Sequence, residues 1–92
     1  MASPTTEKLI VYTTEPCSFC VRTKELLRKR GVDFEEISLA KDADGRMALV
    51  ERTGMMSFPQ VVLGDEVIGG YREVLQADEA GRWEELAAAA SN

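Results

Sequence analysis

Lys8-Leu9-Ile10-Val11-Tyr12-Thr13-Thr14-Glu15-Pro16-Cys17-Ser18-Phe19-Cys20 is the stretch around which the rest of the chain is organised. Residues 8–13 form a short apolar run rich in β-branched and aromatic side chains, the pattern of a buried parallel strand. Pro16 stops that strand. Beyond it, Cys20, Thr23, Leu26 and Leu27 recur at helical spacing up to about Arg30 and are expected to face a sheet. Arg22, Lys24, Glu25, Arg28 and Lys29 are expected to face outward. Cys17 therefore sits where a strand hands over to a helix. A helix start presents unpaired backbone N–H groups and a partial positive charge. That environment favours thiolate over thiol, and the thiolate is the nucleophile. Cys20 lies one turn further on. From there it can close a disulfide onto Cys17, or release a mixed disulfide by attacking it.

Other readings of the two cysteines are weaker. A closed zinc site needs four ligands, and this chain has two cysteines and no histidine. A structural bridge across two residues closes a very short loop and restrains the unfolded chain little. Two unrelated core cysteines would not need the strand-turn-helix context, which is the one expected of a redox pair.

Composition bounds the rest. Residues 1–92 make one small domain with a modest core, 45% of them hydrophobic. The net charge of −5, with no basic block, argues against nucleic acid and anionic membrane surfaces as partners. Residues 1–7 carry neither a basic n-region nor an apolar h-region, so no signal peptide is expected. No segment approaches the roughly 20 apolar residues of a membrane span. A monomer in the cytoplasm is expected, where a lone Cys-x-x-Cys is catalytic rather than structural. The polar lead, residues 1–6, is expected to fray.

The remaining elements follow in order. Gly31 is placed to end the first helix in a left-handed cap. Residues 32–39 read as a second strand, with Phe34, Ile37 and Leu39 as its apolar positions. Asp42 or Asp44 caps a second helix that carries Met47, Leu49 and Val50 and stops at Gly54. Gly45 weakens its first turn. Residues 60–63 and 66–68 read as strands joined by Gly64-Asp65, a two-residue hairpin signal. Gly69-Gly70 ends the hairpin. Residues 72–80 and 82–90 read as helices separated by Gly81, the second alanine-rich and carrying Trp83. The order β-α-β-α-β-β-α-α predicts an α/β fold: a four-stranded mixed sheet with helices on both faces, its parallel crossovers right-handed.

With these elements in place the chain resembles the glutaredoxins of the thioredoxin superfamily. The likeness rests on Val11-Tyr12-Thr13, Cys17-Ser18-Phe19-Cys20, Ser57-Phe58-Pro59-Gln60, Ile68-Gly69-Gly70 and the ending Leu75 to Leu86. It implies a thioredoxin-like fold and a cis Phe58-Pro59 bond that turns the backbone of Phe58 towards the reactive cysteine. The N–H and C=O of Phe58 would then pair with a cysteine-linked peptide like an added strand. It also implies a glutathione site built from Phe19, Phe58, Pro59, Gly70, Tyr71 and Arg72. Backbone N–H groups after Gly-Gly would hold a carboxylate, and Arg72 could grip one bidentately.

The sequence departs from the family in two places. A lysine common in the family is Thr14 here, and Met55-Met56 replaces a basic residue. Both changes remove positive charge, which Arg52, Arg22 and Lys24 are candidates to restore. Met55-Met56 reads as core filler or as the rim of a ligand or partner site.

The resemblance implies a glutathione-dependent thiol–disulfide oxidoreductase. Cys17 would attack a protein disulfide or glutathione mixed disulfide, and Cys20 or a second glutathione would resolve the product. Two alternatives come with it. Gly70-Tyr71-Arg72 is similar to the stretch in glutaredoxin-like redoxins that take electrons from thioredoxin reductase. Some glutaredoxins instead hold a [2Fe–2S] cluster between two protomers, and Cys17 would be the ligand here.

Overall fold

The computed structural model describes residues 8–90. The expected fraying of residues 1–6 lies outside them. The elements are β1 (Leu9–Thr13), α1 (Ser18–Lys29), β2 (Glu35–Ser38), α2 (Ala43–Thr53), β3 (Gln60–Leu63), β4 (Glu66–Gly69), α3 (Tyr71–Glu79) and α4 (Arg82–Ala90). The strands form one mixed sheet in the order β2-β1-β3-β4, flanked by the helices. β1 runs parallel to β2 and antiparallel to β3, and β3 runs antiparallel to β4. The βα order and the Gly64-Asp65 hairpin, with Leu63 opposite Glu66, follow the expectation.

Position in the sheet explains the burial of each strand. β3 lies between two neighbours, and all four of its residues are buried. β2 is an edge strand, shorter than the expected 32–39, with Glu35, Glu36 and Ser38 exposed. Val32 and Leu39 are buried but stand outside its ladder. An edge strand has one partner, so its length is set by β1, and its charged residues keep a second strand from adding on.

The core lies on one face of the sheet. Leu9, Val11, Val61 and Leu63 present alternate side chains to Leu27 of α1, Val74 of α3 and Trp83 of α4. Trp83 is fully buried, and its indole N–H donates to the Val74 carbonyl at 2.9 Å. That bond removes the penalty of burying the ring nitrogen. Emptying a buried aromatic site of this kind costs about 3–5 kcal/mol. α2 contributes one buried residue, Leu49, outside this cluster, while Met47 is 65% exposed.

Local signals set the helix ends. Asp42, not Asp44, caps α2, its carboxylate accepting the Gly45 N–H at 2.8 Å. A Cβ at Gly45 would lie 2.4 Å from the Asp42 carboxylate, so glycine there makes room for the cap. Gly31, Gly54 and Gly81 terminate α1, α2 and α3 as expected, with φ of 76°, 75° and 77°. Arg30 grips Asp78 with two hydrogen bonds, at 2.6 and 2.8 Å, tying α1 to α3. No helix among the described residues is long and apolar enough to cross a membrane.

Candidate active site

Cys17 is the N-cap of α1. Its backbone is extended, with φ −155°, and its Sγ accepts the Cys20 N–H at 3.0 Å. The side chain that begins the chemistry thus also begins the helix. Cys17 and Cys20 form a disulfide, with Cα atoms 5.2 Å apart. The two sulfurs are not equivalent. Cys17 is half-buried, while Cys20 is 2% exposed on the inward face of α1. An incoming disulfide can meet only Cys17, and Cys20 is held behind it in bonding distance. The Glu15–Pro16 bond before the motif is cis, a turn geometry that the sequence reading did not foresee.

The loop between α2 and β3 forms the facing wall. The register pairs Tyr12 with Gln60, so residues 54–59 lie beside the turn that leads to Cys17. The Phe58–Pro59 bond is cis, as the resemblance implied. Phe19, Phe58, Pro59, Gly70, Tyr71 and Arg72, the whole expected glutathione set, line one groove of about 500 Å³. Phe19 and Tyr71 stack with ring centroids 5.4 Å apart and planes at 27°. Met55, read from the sequence as core filler or rim, also lines the groove, and so do Ser57, Glu73 and Leu75, which were not among the expected site residues. Met55 is therefore a rim residue, while Met56 is 83% exposed. Cys17, Cys20 and Thr14 line a second cavity of about 450 Å³, with Lys24 and Glu36.

Gly69 is required by space and by backbone. Gly69 has φ 127°, a conformation that side chains disfavour, and a Cβ there would lie 2.6 Å from Glu73. A Cβ on Gly70 would touch the Pro59 carbonyl at 3.4 Å. The Gly70 N–H is already committed, donating to the Glu73 carboxylate at 2.8 Å. The donors left to receive an anion are those of Tyr71 and Arg72, in the first turn of α3. Glu73 was legible in principle, being the acidic residue three positions after a helix cap.

The charge expected around the groove is redistributed. Lys24 is half-buried rather than outward-facing and binds both Glu36 carboxylate oxygens at 3.1 Å. Arg52 reaches the Gly64 carbonyl at 3.5 Å, on the β3–β4 turn. Neither restores charge to the groove. Exposed Arg72 lines the groove and does supply charge there, while Arg22 sets its guanidinium 5.6 Å from the centroid of the Phe19 ring at its edge. Partial burial pushes the Glu36 carboxyl up, but hydrogen bonds from Lys24 and Thr13 and the nearby cations outweigh it, so its pKa is lowered.

Residues 9–68 match the family model for glutaredoxin. The chain belongs to the glutaredoxin family. Among known glutaredoxins, that of Pseudomonas aeruginosa is 33% identical over 81 residues, covering 88% of this chain and 96% of its own. Glutaredoxin 3 of Escherichia coli strain K12 is 34% identical over 71 residues, covering 77% and 86% respectively. A crystal structure of a buckwheat glutaredoxin–glutathione complex superposes with a TM-score of 0.80. The two are 26% identical, and the match covers 97% of this chain and 84% of the buckwheat chain. The fold is thioredoxin-like, and the Cys17–Cys20 pair makes this a dithiol glutaredoxin whose activity is thiol–disulfide oxidoreduction.

Proposed function

We propose that glutathione is both the reductant and the group removed, and that the groove beside Cys17 receives it. The observation that carries this reading is the convergence of Phe19, Phe58, Pro59, Gly70, Tyr71 and Arg72 on one groove. The free N–H groups of Tyr71 and Arg72 suit the γ-glutamyl carboxylate, and the Arg72 guanidinium lies beside them. The aromatic pair Phe19–Tyr71 covers the apolar part of the tripeptide. A buckwheat relative was solved as a glutaredoxin–glutathione complex, which supports glutathione as the ligand.

In the forward step the Cys17 thiolate attacks the glutathione sulfur of a mixed disulfide. The Cys17–glutathione bond forms, the protein–glutathione bond breaks, and the protein thiolate leaves and takes a proton from water. A second glutathione thiolate then attacks the bound glutathione sulfur. Oxidised glutathione leaves and the Cys17 thiolate returns. With a protein disulfide, Cys17 forms a mixed disulfide with one sulfur, and Cys20, after losing its proton, displaces it. The Cys17–Cys20 disulfide that results is reduced by two glutathiones. The Cys20 N–H bond to Sγ and the start of α1 stabilise negative charge on Cys17 whenever it is the leaving group.

The chain is placed in this reading as a cytoplasmic monomer acting on disulfide-bearing or glutathionylated proteins, without nucleic acid or membrane. A [2Fe–2S] cluster would draw only Cys17 from each of two chains. Among the described residues no group of three or more His, Cys, Asp or Glu is arranged to hold a metal, so such a cluster would rest on a second chain and on glutathione. The Cys20 sulfur, bonded to Cys17, competes for the same thiolate, which favours the redox reading.

The test is reduction of the oxidised protein by glutathione, set against reduction by thioredoxin reductase with NADPH. Glutathione is expected to reduce it. Reduction by the reductase alone would replace this reading with that of a reductase-fed redoxin.

A further inference from the structure

Gln60 is the first residue of β3, directly after Pro59, and it is fully buried. The three residues after it in the strand are Val61, Val62 and Leu63, so an apolar side chain is the ordinary occupant here. A buried amide is costly unless every polar atom is bonded. In Gln60 every one is. Its Nε2 donates to the Met55 carbonyl at 2.9 Å and to the Ser57 carbonyl at 3.1 Å. Its Oε1 accepts from the Thr53 hydroxyl at 2.8 Å. The same Thr53 oxygen accepts the Met55 N–H at 3.1 Å. Two side chains thus hold the loop before Pro59 at residues 55 and 57.

Phe58 is treated differently. Its N–H and C=O hydrogen-bond no other described residue, while its side chain lines the groove. A loop pinned on either side of one unbonded residue presents that residue's backbone in a fixed place.

We propose that Gln60 is a positioning residue for the substrate: it clamps the 55–59 loop so that the free backbone groups of Phe58 meet a peptide joined to Cys17. The proposal rests on the reading of Phe58 as part of the substrate groove. The physical logic is preorganisation, because a loop ordered in advance need not be ordered by the substrate.

The test uses Gln60→Met, which keeps the volume and removes the donors. It also uses Thr53→Val, a milder change in α2 that removes the hydroxyl bonded to Gln60 and Met55. Two quantities are measured well below the melting temperature. One is KM and kcat for a cysteinyl peptide in mixed disulfide with glutathione, and the other is the rate of Cys17 alkylation by iodoacetamide in the reduced protein. Gln60→Met is expected to raise KM about fivefold to tenfold, the worth of one or two hydrogen bonds, with a smaller rise in Thr53→Val. Alkylation is expected to stay within about twofold of the unmodified protein, since the start of α1 is untouched. A lower melting temperature with KM unchanged in the variants makes Gln60 a purely structural residue and overturns the proposal. If Gln60→Met does not fold, an unchanged KM in Thr53→Val overturns it equally. Failure of the unmodified protein to turn over the peptide overturns the groove reading, and the proposal with it.

Discussion

The Gly70 N–H donates to the Glu73 carboxylate across 2.8 Å, so the donor of the second glycine in Gly-Gly is held by the protein's own side chain. This bond closes the start of α3 and places a negative charge at the rim of a groove read as an anion site.

The two effects of Glu73 are separable. Glu73→Ala removes the bond and is expected to cost about 1 kcal/mol, as the loss of a helix cap does. In a domain this size that lowers the melting temperature by about 4–8 °C. Glu73→Gln keeps an acceptor for Gly70 but removes the charge. It is expected to lower the KM for glutathione a few-fold, because a partly exposed charge is worth up to about 1 kcal/mol. Thermal melts and glutathione kinetics on both variants check this.

Cys17 is expected to be the nucleophile and Cys20 the resolving thiol. Peptide mapping of the reduced protein, alkylated at mildly acid pH, should find Cys17 modified first, because Cys20 is 2% exposed. Cys17→Ser should lose all activity. Cys20→Ser should keep turnover of glutathione mixed disulfides and lose dithiol reduction of protein disulfides. Preferential labelling of Cys20 would reverse the assignment.

Arg22 and Thr14 set the charge on the cysteine side of the site. With Lys24 committed to Glu36 and Arg52 to the β3–β4 turn, Arg22→Ala is expected to raise the KM for glutathione a few-fold at low salt. Thr14→Lys should lower it by a similar factor. Both effects should shrink with added salt, since exposed charges are screened over about 8–10 Å. A KM that ignores both substitutions at low salt would show that Arg72 and the α3 N–H groups already satisfy the carboxylates.

Stability is expected to fall in acid through three carboxylates. Hydrogen bonds from Arg30 to Asp78 and from Arg82 to Glu66 lower those carboxyl pKa values, and Lys24 and Thr13 lower that of Glu36 against the opposing push of burial. A depressed folded-state pKa means that the unfolded chain binds more protons in acid. The stabilisation is complete above the unfolded carboxyl pKa of about 4 and is lost as pH falls through the folded values. Urea midpoints should be flat near neutrality and fall below about pH 4. In Asp78→Asn the midpoint at pH 7 should drop and the acid limb become shallower. An unchanged midpoint at pH 7 in that variant would show that the Arg30–Asp78 pair contributes nothing.

Sequence alone determined the elements whose signals are local. The strand-to-helix position of Cys17, the Gly64-Asp65 hairpin, the glycines that stop α1, α2 and α3, and the order of strands and helices all depend on residues within a few positions of one another. The chemistry of the dithiol was legible for the same reason: a helix start and a one-turn spacing are properties of a short segment. The tertiary structure decided what depends on distant partners. It cut β2 to four residues, because an edge strand extends only as far as its one neighbour pairs with it. It drew Lys24 to Glu36 and Arg52 to the Gly64 carbonyl, leaving Arg22 over the Phe19 ring, because the surface position of a charge does not reveal which group the fold brings beside it. It also buried Gln60 beneath the loop of Phe58. Periodicity could mark that position as strand, but only the packed chain could bring two loop carbonyls within reach of one amide.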